Sequence, residues 1–294
     1  MGAAEDSSAP DWPGFVTRWL VTGAGGMLGR DLVSALGSAE VIGLDRAALD
    51  ITDRAAVLAA VRELRPDVVV NCAAWTAVDD AETNEEAALA LNGSGVAHLA
   101  AACAGTGARL VQVSTDYVFD GAAGEPWAED DKPSPRNAYG RTKLAGERAV
   151  PVDGYIVRTA WTYGAHGPSF VRTMLRLAAG DGPVNVVNDQ HGQPTWTVDV
   201  ARQIILLVNS GAAPGIYHAT ADGTATWFDL AREVFALSGA DASRVLPCSS
   251  AEYPRPAPRP AWSVLGHDAW TRAGLAPIGD WRASLRVALP ALAS

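Results

Sequence analysis

The sequence predicts an α/β fold built on a doubly wound parallel sheet, with a smaller α/β lobe formed by the C-terminal part of the chain. From Arg18 to about Thr162, short apolar runs rich in β-branched residues alternate with alanine-rich helical stretches. These apolar runs show no strict alternation of apolar and polar residues. They therefore indicate strands buried on both faces, as in a parallel sheet joined by right-handed crossovers.

Five strands and four helices are predicted in this first part of the chain. The strands are RWLVTG from Arg18, EVIGLD from Glu40, DVVVNCAA from Asp67, RLVQVST from Arg109 and YIVRTAW from Tyr155. The helices lie near Met27–Leu36, Arg54–Leu64, Glu85–Cys103 and Ala138–Ala149. Residues 18–162 are expected to form one domain, with some later segments returning to it.

Beyond Tyr163 the alternation is looser and predicts a smaller lobe at the carboxyl edge of the sheet, where such sheets usually bind ligands. Its predicted elements are helix Phe170–Ala179, strand VNVVND (184–189), helix Val198–Val208, strand GIYHAT (215–220), helix Trp227–Leu237 and the proline-rich segment YPRPAPRPAW (253–262). Because helical pattern follows the prolines, we expect an ordered loop over a site. Residues 163–294 are expected to form mainly a substrate-binding lobe.

Charge and composition exclude several classes of partner. The chain has 294 residues, with 23 Lys and Arg against 33 Asp and Glu, which gives a formal net charge of −10. This negative surplus disfavours binding to nucleic acid or to an anionic membrane surface. The longest run without charge, Ala87–Ala108, is interrupted by Asn92, Ser94 and His98 and is expected to be too polar to span a membrane.

The cysteines and the N-terminal residues bear on localisation. Cys72, Cys103 and Cys248 form no CxxC pair and cannot staple a secreted scaffold, so a reducing cytoplasm is expected. Residues 1–17 carry acids rather than a basic segment and have no apolar stretch. They are predicted to be a disordered tail rather than a targeting signal.

A glycine-rich turn follows the first strand and opens the first helix. In TGAGGMLG, Gly23 suits a tight turn, Gly26 a close approach of the backbone to a pyrophosphate, and Gly29 close packing of helix on sheet. The N-terminus of the helix adds a partial positive charge. With the strand before it and the helix after it, this turn predicts a Rossmann-like dinucleotide-binding domain.

Two neighbouring residues bear on the choice of dinucleotide. Asp45 ends the second strand, 22 positions after Gly23, where a carboxylate can accept hydrogen bonds from the adenosine ribose. Arg46 follows, and a guanidinium there can pair with a 2′-phosphate. We therefore expect both coenzymes to bind, with NADPH modestly preferred over NADH.

A tyrosine and a lysine four positions apart are candidates for proton transfer. In Tyr139-Gly-Arg-Thr-Lys143 the phenol and the ammonium share one helix face, and a nearby ammonium favours the phenolate. Thr115 ends the strand RLVQVST, where its hydroxyl can reach across the carboxyl-edge crevice to a substrate carbonyl. Tyr139 is the candidate acid that protonates the alkoxide formed in a hydride transfer.

With these motifs the chain resembles the extended short-chain dehydrogenase/reductases, and within them the dTDP-4-dehydrorhamnose reductase family. The resemblance runs from about Arg18 to the C-terminus. It is carried by TGAGGMLG, LD at 44–45, DIT at 50–52, VNCAAWTAVDDAE, STDYVFDG, AYGRTKLAGE, RTAWTYG, NDQHGQPT and RPAPRPAWSVL. It implies NAD(P)H-dependent reduction of the 4-keto group of dTDP-4-dehydro-L-rhamnose to dTDP-L-rhamnose.

The resemblance also implies roles for individual residues. For the cofactor it implies Gly26, Met27 and Leu28 at the pyrophosphate, Asp45 at the ribose, Asp50 and Ile51 near the adenine, Ala74, Trp75 and Thr76 along the nicotinamide half, and Tyr139 and Lys143 at the nicotinamide ribose. For the substrate it implies Thr115, Asp116 and Trp161 at the sugar, and Gln190 and Arg259 at the nucleotide-diphosphate end.

Other functions are weighed against this one. Sugar-nucleotide 4,6-dehydratases resemble this fold but place Glu after Thr-Asp, where this chain has Tyr117. An epimerase would use the same Tyr-Lys pair without consuming coenzyme. A non-catalytic, nucleotide-binding regulatory subunit has no need of Tyr139, Lys143 and Thr115. The nearest alternative is a reductase for another dTDP-deoxysugar, such as one forming dTDP-dihydrostreptose, because it would share these catalytic residues.

Metal binding and assembly are the last expectations. The five histidines show neither an i, i+4 pair nor a cysteine partner, so no protein-built transition-metal site is expected. Some members of the family are linked to Mg²⁺ through acidic residues, and that requirement is left open here. The expected partner is a dTDP-sugar, and the expected assembly is a monomer or a homodimer.

Overall fold

The computed structural model describes residues 18–37 and 39–293, so the predicted tail over 1–17 lies outside the described residues. The strands are β1 Arg18–Thr22, β2 Glu40–Leu44, β3 Val68–Asn71, β4 Arg109–Thr115, β5 Tyr155–Thr159, β6 Thr162–Tyr163, β7 Val184–Val187, β8 His191–Gly192, β9 Thr195–Trp196, β10 Gly215–His218, β11 Ala225–Thr226 and β12 Val245–Cys248. The α-helices are α1 Met27–Leu36, α2 Arg54–Leu64, α3 Val78–Ala81, α4 Glu85–Leu89, α5 Gly95–Thr106, α6 Ala138–Glu147, α7 Phe170–Ala178, α8 Thr197–Asn209, α9 Trp227–Leu237, α10 Asp268–Arg272 and α11 Trp281–Ala293.

A six-stranded sheet of order β10-β5-β4-β3-β1-β2 forms the centre of the fold, and every neighbouring pair in it is parallel. Successive side chains of β1 point to opposite faces. Trp19 and Val21 pack into a core that includes residues of α1 and α8, whereas Leu20 packs into a second core with residues of α2 and α5. Both faces of the sheet are therefore covered by helices, and the predicted doubly wound α/β fold is confirmed.

The sheet has a reversal of strand order next to β1, which lies between β2 and β3. Ligands of doubly wound sheets bind outside the carboxyl ends of the strands at such a point. The glycine-rich turn after β1 and the polypeptide after β3 both leave the sheet here. The topology thus locates a candidate site before any side chain is considered.

The later part of the chain contributes to two regions. Strand β10, from the predicted GIYHAT strand, pairs in parallel with β5 at the edge of the large sheet. The remaining strands form three two-stranded sheets, in which β7 pairs with β12, β8 with β11 and β6 with β9. Helices α7 and α9 pack beside β7 and β12, as buried Met174, Val186, Phe235 and Val245 share one core.

The helix predicted over Glu85–Cys103 is found over Glu85–Thr106 and contains a π-helical turn, Ala90–Ser94, between α4 and α5. By length and composition alone this 22-residue helix could cross a membrane. Half of its most apolar window is buried in the fold, and Val96, Leu99 and Cys103 pack against the sheet core. It is packed as a core helix of the α/β domain.

Candidate active site

The glycine-rich turn after β1 is closed against the end of β3. Gly23 has φ +68°, and a Cβ on it would lie 2.5 Å from the backbone nitrogen of Ala73. A Cβ on Gly29 would lie 2.3 Å from the carbonyl oxygen of Gly23. Both positions are thus restricted to glycine, and α1 begins immediately beside the sheet.

The first turn of α1 offers free backbone donors. Its N-cap residue, Gly26, has no side chain to bond the first amides, and the first turn carries no acidic residue. The first N–H groups of a helix lack intrahelical partners and favour an anion. The residues present therefore fit the pyrophosphate of a dinucleotide.

A cavity of about 390 Å³ opens beside this turn. The predicted cofactor residues Gly23, Gly26, Asp45, Arg46, Asp50, Ile51 and Ala74 all line it, together with Gly25, Ala47, Leu49, Cys72, Ala73 and Leu91. Met27, Leu28, Gly29, Trp75 and Thr76 are not among its lining residues; the first three belong to α1 and the other two follow Ala74. Tyr139 and Lys143 do not line it either, so the structure brings half of the predicted cofactor residues around one cavity.

The acidic and basic residues at the cavity rim are held by local hydrogen bonds. Asp45 accepts a hydrogen bond from the backbone nitrogen of Ala48 at 3.0 Å. Arg46 has an 85% exposed side chain and pairs with Asp50, with 3.7 Å between Nε and Oδ2. Hydrogen bonds from the backbone and side chain of Thr52, more than the charge of Arg46, hold the pKa of Asp50 below its ordinary value.

Helix α6, called the catalytic helix because it carries the predicted catalytic residues Tyr139 and Lys143, packs against the end of β4. Asn137 caps the helix by accepting a hydrogen bond from the Gly140 backbone nitrogen at 2.8 Å. A Cβ on Gly140 would lie 2.1 Å from the carbonyl oxygen of Tyr117. This close approach, which only glycine permits, packs the helix against the residues that follow Thr115.

The phenol of Tyr139 keeps its proton in this environment. Burial is the main cause that raises its pKa; the Thr115 hydroxyl acts in the opposite direction, and the charge of Asp116 adds to the rise. The sequence analysis expected a nearby ammonium to favour the phenolate. In the structure, loss of solvent has the larger effect on the pKa of the phenol. A phenol that keeps its proton can act as a proton donor, the role predicted for Tyr139.

Lys143 is bonded to the backbone of strand β4, near its carboxyl end. Its Nζ donates a hydrogen bond to the carbonyl oxygen of Val113 at 2.7 Å. Burial lowers its pKa to about 8, while the charges of Glu147 and of the Cys72 thiol act in the opposite direction. Its ammonium form therefore still dominates near neutral pH.

Asp116 is a buried carboxylic acid next to the catalytic pair. Its Oδ1 accepts a hydrogen bond from the Thr115 hydroxyl at 2.9 Å. Burial raises its pKa to about 6, against opposing hydrogen bonds from Thr115, Ser263 and the local backbone. Above that pH the site carries a buried negative charge.

Several buried polar atoms near Tyr139 lack a hydrogen-bond partner among the described residues. They are Trp75 Nε1, Ser114 Oγ, Asp116 Oδ2 and Thr159 Oγ1. Trp75 and Tyr139 both pack against a small cluster formed by Ala81, Ala88 and Ala138, and Thr159 lies beside Thr115 in the sheet register. Buried polar groups are usually bonded, so these donors and acceptors fit a polar ligand at this edge of the sheet.

A second cavity, of about 540 Å³, lies on the side of the later lobe. Predicted substrate residues Gln190 and Arg259 line it, together with Tyr117, Phe170, Thr173, Met174, Leu177, Val184, Asn185, Val186, Val187, Trp227, Tyr253 and Arg255. Trp161, predicted at the sugar, is not among its lining residues. Apolar walls with two guanidinium groups suit a ligand that has both an apolar and an anionic part.

Trp161 and Trp227 form a stacked pair with 3.6 Å between ring centroids and 5° between planes. Trp161 has φ +47°, and a Cβ on Gly192 would lie 2.4 Å from its Cε2. Trp161 is thus packed between Gly192 and Trp227, and Trp227 forms the cavity wall. A direct sugar contact of Trp161 stays a prediction.

Gln190 is bonded within the protein. Its Oε1 accepts a hydrogen bond from Trp227 Nε1 at 3.1 Å, and its Nε2 donates to the Ser250 hydroxyl at 2.8 Å. These bonds fix the orientation of Trp227. The predicted contact of Gln190 with a nucleotide diphosphate stays a prediction.

Asn92 is a site residue that the sequence analysis missed. It lies in the π-helical turn, and its Oδ1 accepts a hydrogen bond from the Trp75 backbone nitrogen at 2.8 Å. Its Nδ2 donates to the Trp75 carbonyl oxygen and to the Thr142 hydroxyl, each at 3.1 Å. Asn92 thus ties the segment after β3 to the catalytic helix. Its signal in the sequence was a single amide within an apolar helix.

Comparison with known proteins identifies the family to which this chain belongs. A family model described as the RmlD substrate binding domain matches residues 17–294. A protein of Streptomyces griseus named dTDP-4-dehydrorhamnose reductase is 56% identical over 285 residues, which cover 94% of each chain. The chain belongs to the dTDP-4-dehydrorhamnose reductase family.

Other members of this family broaden the comparison. A protein of Streptomyces niveus named dTDP-4-keto-6-deoxy-D-glucose reductase is 55% identical over 281 residues, covering 94% of this chain and 97% of the relative. The solved structure of dTDP-4-dehydrorhamnose reductase from Bacillus anthracis in complex with NADP is 36% identical, with a TM-score of 0.90, and covers 94% of this chain and 99% of that chain. The similarity to members of this family thus extends over nearly the whole sequence.

No group of three or more His, Cys, Asp or Glu residues that could hold a metal ion occurs within 18–37 and 39–293. The expectation that the protein builds no transition-metal site stays a prediction.

Proposed function

We propose that this protein reduces the 4-keto group of dTDP-4-dehydro-L-rhamnose to dTDP-L-rhamnose with NADPH. The observation that carries the proposal is the placement of Tyr139 and Lys143 one turn apart on α6, where Lys143 bonds to Val113 at the end of β4 and burial keeps the phenol protonated. A buried, protonated phenol is the acid that carbonyl reduction needs. The name of the Streptomyces griseus relative and the NADP bound to the Bacillus anthracis structure support the choice of substrate and coenzyme.

The proton-transfer step uses groups of this chain. Bound reduced nicotinamide supplies hydride to the carbonyl carbon. The electron pair of the C=O bond moves to the oxygen, which takes the phenol proton of Tyr139 as the O–H bond of the phenol breaks. The Thr115 hydroxyl is itself bonded to Asp116, and burial keeps the proton on the phenol until the transfer.

Lys143 supports this transfer. It lies one helical turn after Tyr139, and its ammonium favours the phenolate that remains after the proton has left. Its hydrogen bond to Val113 holds it at the end of β4. Thr115 stays the predicted partner of the substrate carbonyl, and Asp116 that of a sugar hydroxyl.

A second candidate is reduction of a different dTDP-4-keto-6-deoxyhexose. It is favoured by the 55% identical relative of Streptomyces niveus, which is named dTDP-4-keto-6-deoxy-D-glucose reductase. The two candidates share the coenzyme, the catalytic residues and the reaction at the 4-keto carbon. They differ in the configuration of the sugar that is accepted.

The test combines one enzyme preparation with a panel of dTDP-4-keto-6-deoxyhexoses. NADPH oxidation is followed by absorbance, and the configuration of the product sugar is determined by NMR. We expect one NADPH consumed for each sugar reduced, with the dTDP-4-dehydro-L-rhamnose substrate giving the highest kcat/KM. Epimerisation without net NADPH oxidation would identify an epimerase, and nucleotide binding without turnover would indicate a regulatory subunit.

A further inference from the structure

The proline-rich loop is fastened to the dinucleotide-binding part of the chain through one carboxylate. Asp79 Oδ2 accepts hydrogen bonds from Arg255, from Nε at 2.9 Å and from Nη2. Asp79 Oδ1 accepts from Arg259 Nη2 at 3.0 Å and from the Ala257 backbone nitrogen at 3.2 Å. Four donors of the segment 255–259 therefore converge on a side chain of the short helix α3.

This carboxylate lies between the two halves of the site. Helix α3 begins two residues after Thr76, the last of the predicted nicotinamide residues, whereas Arg255 and Arg259 line the 540 Å³ cavity. A second contact holds the same loop, because Asn137 Nδ2 donates to the Pro258 carbonyl oxygen at 3.0 Å. Asn137 also caps the catalytic helix. The loop is thus tied to both α3 and α6.

Arg259 is the residue whose geometry depends most on Asp79. Its side chain is 19% exposed, its guanidinium carbon lies 5.9 Å from the centre of the Tyr117 ring, and its Nη1 is buried without a hydrogen-bond partner among the described residues. The Tyr117 ring in turn meets Tyr139 edge-on at 5.6 Å. A guanidinium with one nitrogen committed to a carboxylate and another unpartnered at a cavity wall is arranged to bind a further anion.

Charge alone does not account for an acid at this place. A carboxylate beside two guanidinium groups reduces their attraction for an anionic ligand, so on Coulomb's law alone its removal strengthens anion binding. If the carboxylate instead orients the arginines, its removal weakens anion binding, because the guanidinium must then be ordered when the ligand binds. The two roles predict opposite signs.

We propose that Asp79 is a positioning residue, whose carboxylate holds segment 255–259 and the Arg259 guanidinium in the geometry that binds the diphosphate of the nucleotide substrate. This inference rests on the proposed function, since it assumes a nucleoside-diphosphate sugar as the ligand of the 540 Å³ cavity. Asp79 itself makes no contact with the reacting atoms. It acts through Arg259.

The test is the variant Asp79→Asn, with Asp80→Asn as a matched control. Asp80 is the next residue of α3, is exposed, and bonds to Asn84 rather than to the loop, so the control removes the same charge without touching segment 255–259. The affinity for dTDP is measured by calorimetry, and KM and kcat are measured with the dTDP-sugar.

For Asp79→Asn we expect about 10-fold weaker dTDP binding and a similar rise in KM, the effect of losing about one charge-assisted hydrogen bond. We expect kcat and NADPH affinity to change by less than about 3-fold. Asp79→Glu should recover part of the affinity, and it also serves if the Asn variant does not fold. Unchanged or tighter dTDP binding by Asp79→Asn would overturn the proposal.

A double-mutant cycle separates this inference from the function on which it rests. Arg259→Ala and Asp79→Asn should together weaken dTDP binding no more than Arg259→Ala alone, because Asp79 acts through Arg259. Additive losses would contradict the proposed route. Failure of the unmodified protein to bind dTDP or to reduce any dTDP-sugar would instead reject the proposed function, whatever the variants do.

Discussion

Arg158 and Glu147 form a bidentate ion pair beneath the catalytic helix, with 2.9 Å from Nε to Oε1 and 2.8 Å from Nη2 to Oε2. Their side chains are 1% and 4% exposed. Arg158 lies in β5, and Glu147 is the last residue of α6, four positions after Lys143. The pair therefore anchors the helix that carries Tyr139 and Lys143 to the central sheet.

Glu147→Gln should destabilise the protein by about 3–5 kcal/mol, because it leaves the Arg158 charge buried without a counter-charge. Since Glu147 raises the pKa of Lys143, its loss should also move the alkaline decline of kcat to lower pH. Urea unfolding and a pH–rate profile measure the two effects. The exposed Glu86, changed to Gln, is the control. A stable variant with an unshifted profile would show that the pair is dispensable.

Tyr139→Phe should lower kcat by about 100-fold or more, the usual contribution of a general acid, because the variant has no phenol to supply the proton. NADPH affinity, measured by fluorescence titration, should stay within a few-fold of that of the unmodified protein. Near-normal turnover with the natural sugar nucleotide would show that the proton comes from elsewhere.

Asp116→Asn should reduce turnover yet stabilise the protein at alkaline pH. Burial raises the pKa of Asp116 from 3.8 to about 6, so the folded state favours the neutral acid. Ionisation then removes stability as the pH rises between these two values, and the loss is constant above about pH 6. The shift corresponds to at most about 3 kcal/mol.

Thermal melting at pH 4 and pH 8 checks this prediction for Asp116. The Asn variant should melt above the unmodified protein at pH 8 and close to it at pH 4. The same change at the exposed Asp130 should have no such pH dependence. If the variant is equally destabilised at both pH values, the hydrogen bonds to the carboxylate stabilise the protein by more than the desolvation of the carboxylate costs.

Arg46→Ala should weaken NADPH binding more than NADH binding. The Arg46 side chain is exposed at the rim of the 390 Å³ cavity and carries only a loose ion pair with Asp50, so it is free to meet a 2′-phosphate. We expect a loss of about 3–10-fold for NADPH, smaller at high salt because the site is open to solvent. Arg62→Ala, on the outer surface of α2, is the control. Equal losses for both coenzymes would contradict the assignment.

Local sequence patterns were sufficient to predict five of the six strands of the central sheet and the glycine-rich turn after β1. The strands from Arg18 to Thr159 are continuous apolar runs, and Gly29 of TGAGGMLG is required by a contact only six residues away, with the carbonyl oxygen of Gly23. The spacing of Tyr139 and Lys143 likewise places both on one helix face. Such features depend on neighbours in the chain, and one sequence contains all the information they need.

Features that join distant segments could not be predicted in this way. Asp79 bonds to residues 176 to 180 positions away, and the stacking of Trp161 on Trp227 depends on how two segments meet in space. Trp161 was expected at the sugar from the family resemblance, and that contact stays a prediction; its local pattern does not reveal which of the two rings faces the cavity. Strand β10 was grouped with the later lobe because an edge strand that returns to a sheet carries no mark of its neighbour.

The π-helical turn at Ala90–Ser94 also has a consequence for how this chain can tolerate changes in length. A π turn holds one residue more than the α-helical turn it replaces, so deleting a single residue there would leave a regular helix whose two parts keep their relative orientation. Val96 and Leu99 would thus keep their places in the core, and Glu85 of α4 would keep its salt bridge with Arg141. A deletion within α5 would instead turn α4 by about 100° relative to the residues that follow, so the π turn is the part of this helix that can lose one residue without rotating α4.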